Sequence, residues 1–262
     1  MAPETDLLID QAADLITAAG KVVVFTGAGV STESGIPDFR SPGGIWSKYQ
    51  PIMFQDFMSS EDMRRESWRR ARETYHLFAD VNPNPAHYAV VELERMGKLD
   101  CVITQNIDNL HQRAGSAPEL VIELHGTAMY VLCMNCGKRW TRAHIQGWLE
   151  AGVEIPSCDE CGGILKSATI SFGQSMPEKE MMEAHLHSEN AEVFIVIGSS
   201  LVVYPAAQLP LLAKQSGSKL IIINLADTSF DPYADVLIQG KAGEVMRKLV
   251  ERVKNKVGWT DA

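Results

Sequence analysis

Val22-Val-Val-Phe-Thr-Gly-Ala-Gly-Val-Ser-Thr-Glu-Ser-Gly-Ile-Pro-Asp-Phe-Arg40 is the stretch on which the fold turns. Its opening run, Val22 to Phe25, is apolar and mostly β-branched, which predicts a buried strand. Gly27 and Gly29 then predict a tight turn at the strand's end. That is how a dinucleotide site begins, but Thr32 stands where the third glycine of G-x-G-x-x-G belongs. Polar residues follow and lead into Pro37-Asp38-Phe39-Arg40.

Outward from this stretch, strands and helices alternate. Leu7, Leu8, Ala12, Leu15, Ile16 and Ala19 have helical spacing and predict an amphipathic helix over 6–19, stopped by Gly20. Asn84-Pro85 is a helix start, the helix running to about Met96 and ending at Gly97. Val102–Thr104, Leu120–Leu124, Val193–Ile197 and Lys219–Ile223 read as strands, and 206–215 and 243–257 as helices. Such alternation predicts an α/β fold: a Rossmann-type, mostly parallel sheet with helices on both faces. Two segments break the pattern. Residues 41–82 hold Ser41-Pro-Gly-Gly44, aromatics and a charged run, and read as a loop leading into a helical module. Residues 131–167 carry the paired cysteines and read as a small zinc-ribbon domain. The Rossmann-type domain is then assembled from 1–40, 83–130 and 168–262.

The chain has 262 residues, 45% of them hydrophobic, enough for one large domain with inserts. Its net charge of -9, without a long basic run, argues against broad nucleic-acid binding. The same charge would attract a lysine-bearing peptide. No apolar run nears the roughly 20 residues of a membrane span. Glu4 and Asp6 stand where a secretory signal would be basic.

Four of the five cysteines form two C-x-x-C pairs, Cys133/Cys136 and Cys158/Cys161, separated by 21 residues. Two such knuckles supply four thiolates, the tetrahedral set that zinc prefers, with Gly137 and Gly162 in the tight backbone behind them. Four protein ligands leave no open position, so the ion is expected to be structural. The pairing favours metal over disulfides and hence a reducing, cytoplasmic setting. Cys101 opens a strand and reads as buried and inert.

Polar residues collect just beyond strand ends, where open α/β sheets bind ligands. Gln105, Asn106 and Asp108 follow one strand and His125-Gly126 another. Gly198-Ser-Ser200 and Asn224 follow two more. Singly, each also fits turn chemistry. His125 has the side chain for a general base. His111 reads as structural, and His185 and His187 as solvent-exposed. His76, His87 and His144 have no sequence partners.

These residues together resemble the sirtuin family, the NAD-dependent protein lysine deacylases, in a microbial-type minimal form. The resemblance runs from about residue 8 to 257. It rests on Gly27–Arg40, Thr104-Gln-Asn-Ile-Asp108, His125-Gly126, the C-x-x-C pairs, Phe172-Gly173, Gly198-Ser-Ser200 and Asn224. It implies that NAD is consumed and no hydride moves. The acyl oxygen of an acyl-lysine attacks the nicotinamide ribose and nicotinamide leaves. His125 then activates a ribose hydroxyl, and the products are free lysine and O-acetyl-ADP-ribose. The Gly27–Gly29 turn would hold pyrophosphate through its N–H groups.

By the same resemblance Ala28, Thr32 and Arg40 contact NAD near its phosphates, and Phe39 shields the reactive ribose face. Gln105 binds ribose. Asn106 and Asp108 act around the ribose and the nicotinamide amide, with Ile107 packed beside them. Gly198, Ser199, Ser200, Asn224, Leu225 and Ala242 line the adenosine side. An acyl-lysine peptide is expected to add as a strand between Ile170, Phe172 and Gly173 on one side and Val202, Val203 and Tyr204 on the other. The loop after Ser41 is expected to order when NAD binds.

Two departures stand out. Gln174 replaces the glutamate of the usual Phe-Gly-Glu, for which a rim effect is expected. No Tyr-x-x-Arg, a mark of succinyl or malonyl preference, occurs between 40 and 82, although Arg69 and Arg72 lie nearby. Acetyl is therefore the expected acyl group. An NAD-dependent ADP-ribosyltransferase or a desuccinylase using the same site is the alternative. A zinc-ribbon adaptor would not need the polar constellation, and the missing glycine argues against a dehydrogenase. The expected partners are acyl-lysine proteins or peptides, with no nucleic acid, no membrane and at most weak self-association.

Overall fold

The computed structural model describes residues 3–260. Helix α1 (Pro3–Ala18) leads into β1 (Val22–Thr26), a seven-residue 3-10 helix (Ala28–Ser34) and the short helices α2 (Phe54–Ser59), α3 (Glu61–Thr74) and α4 (His76–Ala79). Then come α5 (Pro85–Arg95), β2 (Leu99–Thr104), α6 (Leu110–Ala114) and β3 (Val121–Glu123). The Cys-bearing segment holds β4 (Gly126–Cys133), β5 (Arg139–Thr141), α7 (Arg142–Glu150) and β6 (Leu165–Thr169). The chain continues through α8 (Glu178–Asn190), β7 (Val193–Ile197), α9 (Leu209–Gln215), β8 (Lys219–Asn224), β9 (Val236–Gln239) and α10 (Ala242–Val257).

The large sheet has the order β3-β2-β1-β7-β8-β9 and every pair is parallel. Counted along the sheet this is 3-2-1-4-5-6, the dinucleotide-fold order, with its reversal between β1 and β7. β1 and β7 are buried along their whole length, as two-sided coverage requires. On one face α1, α5 and α10 close a core around Val24, Val102, Ile195 and Ile221. On the other, α8 and α9 pack over Phe25, Ile103, Phe194 and Ile222.

The smaller sheet, β5-β4-β6, is antiparallel. Its core of Val131, Trp140, Ile145, Leu149 and Leu165 includes Trp68 of α3, which joins the helical module to it. Arg142 strengthens that join by donating to the Ala71 carbonyl at 2.9 Å and lying over the Trp68 and Tyr75 rings. None of the helices among the described residues is long and apolar enough to cross a membrane.

Some expectations are corrected here. Leu7, assigned to the apolar stripe of the first helix, is 59% exposed; Ile9 and Ala13 are buried instead. β9 alternates buried and exposed residues at the sheet edge. Its four residues carried too weak a pattern to read. His187 is not simply solvent-exposed: it is half-buried and pairs with Asp100 at 2.5 Å.

Candidate active site

The C-terminal ends of β1, β2, β7 and β8 open into a cleft of about 850 Å³. The expected cofactor residues all line it: Ala28, Thr32, Phe39, Arg40, Gln105, Asn106, Ile107, Asp108, His125, Gly198, Ser199, Ser200, Asn224, Leu225 and Ala242. Ile170, Phe172, Gly173, Val203 and Tyr204 line it too, whereas Val202 lies outside the lining and is 52% exposed.

The glycine turn is built differently from expectation. Gly27 N–H donates to the Ile197 carbonyl at 3.1 Å, and Gly29 N–H to that of Gly198 at 2.8 Å. Those two amides are therefore not free for pyrophosphate. The glycines permit backbone-to-backbone contact instead. A Cβ on Gly27 would lie 2.8 Å from the Gly198 carbonyl oxygen, and one on Gly198 would lie 2.3 Å from Val30 N. Thr32, in place of the third glycine, lies inside the 3-10 helix Ala28–Ser34, and its hydroxyl donates to the Gly29 carbonyl at 2.9 Å.

Beneath the cleft lies a buried polar network. Asn106 Nδ2 donates to Ser31 Oγ at 3.1 Å, and Ser31 Oγ donates to Asp108 Oδ2 at 2.7 Å. Asp108 Oδ1 also accepts from Leu110 N–H at 3.0 Å. Burial pushes the Asp108 carboxyl up from its ordinary value, opposed by the hydrogen bonds from Leu110 and Ser31. His87 Nδ1 accepts from Asn84 N–H at 3.3 Å, so Nε2 carries the proton toward Ser31, 3.5 Å away. His111 packs edge-on against His87 and meets Thr26 Oγ1 at 3.0 Å. Burial lowers His87 to about 4 and holds His111 well below its ordinary value.

His125 sits between the two sheets. Its Nδ1 lies 2.9 Å from the Gln105 carbonyl. A carbonyl only accepts, so Nδ1 carries the proton and Nε2 is the ring's basic atom. Burial lowers the His125 pKa, against the Gln105 hydrogen bond that raises it. Gly126 follows at φ 68°, with no room for a Cβ: one would lie 2.1 Å from the Ala168 carbonyl. Gln105 Nε2 donates to Ser199 Oγ at 2.8 Å, and Asn224 Nδ2 to the Ser199 carbonyl at 3.3 Å, joining three strand ends.

At the mouth, Phe39, Trp46 and Phe172 form a chain of rings with centroids 5.7 and 5.8 Å apart. Arg40 lies over Trp46 at 4.2 Å and is the one arginine lining the cleft among the described residues. Arg69 is instead held on the surface of α3 by Glu66 and Glu73. The Phe172 carbonyl already accepts from Phe54 N–H at 2.8 Å. Gln174 Oε1 accepts from Ser171 N–H at 3.2 Å and closes the turn, so it shapes backbone more than rim. Sequence reasoning missed Ser31, Trp46 and His87. The Asn84 cap with His87 three residues on was the one local signal for His87.

In the small domain Cys133 Sγ and Cys161 Sγ are 3.5 Å apart, and Cys136 Sγ and Cys158 Sγ 3.7 Å. Four sulfurs about 2.3 Å from one zinc would stand about 3.8 Å apart. Asn135 and Cys136 N–H groups point at Cys133 Sγ, at 3.4 and 3.5 Å, and Gly137 and Gly162 adopt φ 76° and 69°. The donor set and its knuckles fit zinc. Cys101 is buried, with its thiol pushed up by burial.

The sequence profile of the Sir2 family matches residues 27–205. The "NAD-dependent protein deacetylase" of Rhodopseudomonas palustris is 46% identical over 250 residues, covering 95% of this chain and 99% of its own length. A solved Sir2 structure with a deacetylated p53 peptide and 3'-O-acetyl-ADP-ribose is 40% identical, with a TM-score of 0.86, covering 96% of this chain and 99% of its own. Another, with p53 peptide and NAD+, is 38% identical, with a TM-score of 0.84, covering 99% of this chain and 100% of its own.

Proposed function

The chain belongs to the Sir2 family, and from that premise we propose how its residues serve an NAD-dependent protein lysine deacetylase. The reaction moves the acetyl group of an acetyl-lysine onto ADP-ribose and releases nicotinamide. NAD, as co-substrate, supplies the glycosidic bond that breaks and the ribose hydroxyl that receives the acetyl group. The observation that carries the reading is His125, which lines the cleft with its proton fixed on Nδ1 by Gln105, leaving Nε2 as the basic atom.

Nε2 takes the proton of a ribose hydroxyl. Asn106 and Asp108, fixed through Ser31, orient the nicotinamide ribose and its amide. Phe39, backed by Trp46, keeps water from the exposed ribose face. Ala28, Thr32 and Arg40 hold the phosphate side, and Gln105 and Ile107 the ribose. Ser199, Ser200, Gly198, Asn224, Leu225 and Ala242 hold the adenosine side. The acyl-lysine segment pairs with the strand ends at Ile170–Gly173 and Val202–Tyr204. The Phe172 carbonyl, which already accepts from Phe54 N–H, has one lone pair left for that pairing. Cys133, Cys136, Cys158 and Cys161 hold one structural zinc.

Acetyl is the preferred acyl group, because no arginine of the helical module lines the cleft among the described residues. The loop after Ser41 orders on NAD. The domain division at 40/41, 82/83, 130/131 and 167/168, a cytoplasmic setting and weak or no self-association complete the reading. His125→Ala is expected to lower deacetylation about 10²–10⁴-fold, the usual worth of a general base. The check is nicotinamide release with an acetyl-lysine peptide. Full activity in that variant would remove the assignment of the base, and ADP-ribose transferred to protein without deacetylation would favour the transferase alternative.

A further inference from the structure

The cleft occupies one end of the parallel sheet. At the other end, where β2 begins, three donor side chains meet that the deacetylation reading leaves unused. Register explains how they come together. Val22 pairs with Leu99 and Val23 with Cys101, so Asp100 is the extra residue of a β-bulge. In a regular strand successive side chains alternate between faces. Here Leu99 and Val102 pack toward α1, α5 and α10, while Cys101 and Ile103 pack toward α8 and α9. Asp100 reaches His187 of α8, on the same face as Cys101. The bulge thus sets two consecutive donor-bearing side chains on one face, a recognised use of such an insertion.

The three groups are close. His187 Nδ1 and Asp100 Oδ2 are 2.5 Å apart, and the ligand atoms of Asp100, Cys101 and His187 all lie within 4.8 Å of one another. Cys101 is buried, but the Asp100 and His187 side chains keep 23% and 33% of their surface, which gives a cation a way in. We propose that Asp100, Cys101 and His187 form a second metal site, selective for a zinc-class divalent ion, with water as the fourth ligand. A thiolate, an imidazole and a carboxylate suit a borderline-soft ion. Magnesium and calcium want oxygen alone.

Binding replaces the Cys101 S–H bond with a sulfur–metal bond, and the proton passes to water. The proton between His187 and Asp100 moves to the far ring nitrogen, leaving the imidazole neutral as a ligand must be. Zinc bonds near 2.0 Å set nitrogen and oxygen about 3.3 Å apart, so the pair opens by about 1 Å. The ion then ties α8 to the first residues of β2. It does so away from the cleft, so its effect is on stability.

The test is zinc content per chain, measured on protein whose four-cysteine site is loaded, after equilibration with zinc and gel filtration. Wild type is expected to hold one more zinc per chain than either Cys101→Ser or His187→Gln. His185→Gln, on the same helix, keeps the wild-type content. His187 is partly exposed, so its variant does not depend on core repacking. The extra zinc should also raise the wild-type melting midpoint and leave that of His187→Gln unmoved. Equal content in wild type and both variants, or loss in only one variant, would overturn the three-ligand site. The readout is metal and melting, so the outcome is independent of the deacetylase reading.

Discussion

His125 is pulled two ways. Burial disfavours the imidazolium, the Gln105 carbonyl favours it, and burial wins. The neutral ring is the base, so a lowered pKa keeps it competent into mild acid. The acid limb of kcat/KM should therefore fall below pH 6.5, the ordinary imidazole value. A limb at or above that value would contradict the assignment. His87 gives a stability prediction. Its pKa falls from 6.5 to about 4 on folding, so the unfolded chain binds the proton first. That stability is complete above 6.5 and is lost as pH falls toward 4, by about 2 kcal/mol at pH 5. Urea unfolding at pH 7.5 and pH 5 should show a smaller drop for His87→Gln than for wild type; equal drops would refute it. The two histidines differ in legibility. His125 stands at a strand end, where position alone suggests chemistry. The partners of His87, namely Ser31 and His111, lie 56 and 24 residues away in sequence and meet it only in the folded chain.

At the scale of elements, long β-branched runs and capped helices were readable, because burial on both faces leaves an unbroken apolar record. β1, β7 and β8 appear where Val22–Phe25, Val193–Ile197 and Lys219–Ile223 placed them. The small sheet was not readable strand by strand. Cys133, Cys136, Cys158 and Cys161, whose sulfurs cluster there, would stabilise it through the proposed zinc, so that β4, β5 and β6 need little apolar periodicity of their own. This predicts the effect of Cys133→Ala. The small domain should lose its zinc and unfold roughly 5 °C or more before the large sheet, visible as a split melting transition. Activity should fall with it, since β4 and β6 hold Gly126 and Ile170 in place. A fully folded, fully active zinc-free variant would refute a structural ion. The glycine turn carries a different lesson. Gly27 and Gly29 were visible, but the close backbone contact they permit was not, because the partner that excludes a Cβ is Gly198, just past β7 and far away in sequence.

For the whole molecule, strand order decides where the chemistry sits. The reversal between β1 and β7 opens the crevice. The strand ends bring Asn106, Ser199 and Asn224 to it, and the link to the small domain adds His125. The aromatic mouth of Phe39, Trp46 and Phe172 was only partly legible, because Trp46 lies in a loop whose path no periodicity records. Mass spectrometry of an acetyl-lysine peptide, incubated with the protein with and without NAD, tests the central claim most directly. The prediction is loss of acetyl only with NAD, with nicotinamide and O-acetyl-ADP-ribose formed in equal amounts. Acetyl loss without NAD, or NAD consumption with the peptide still acetylated, would contradict it.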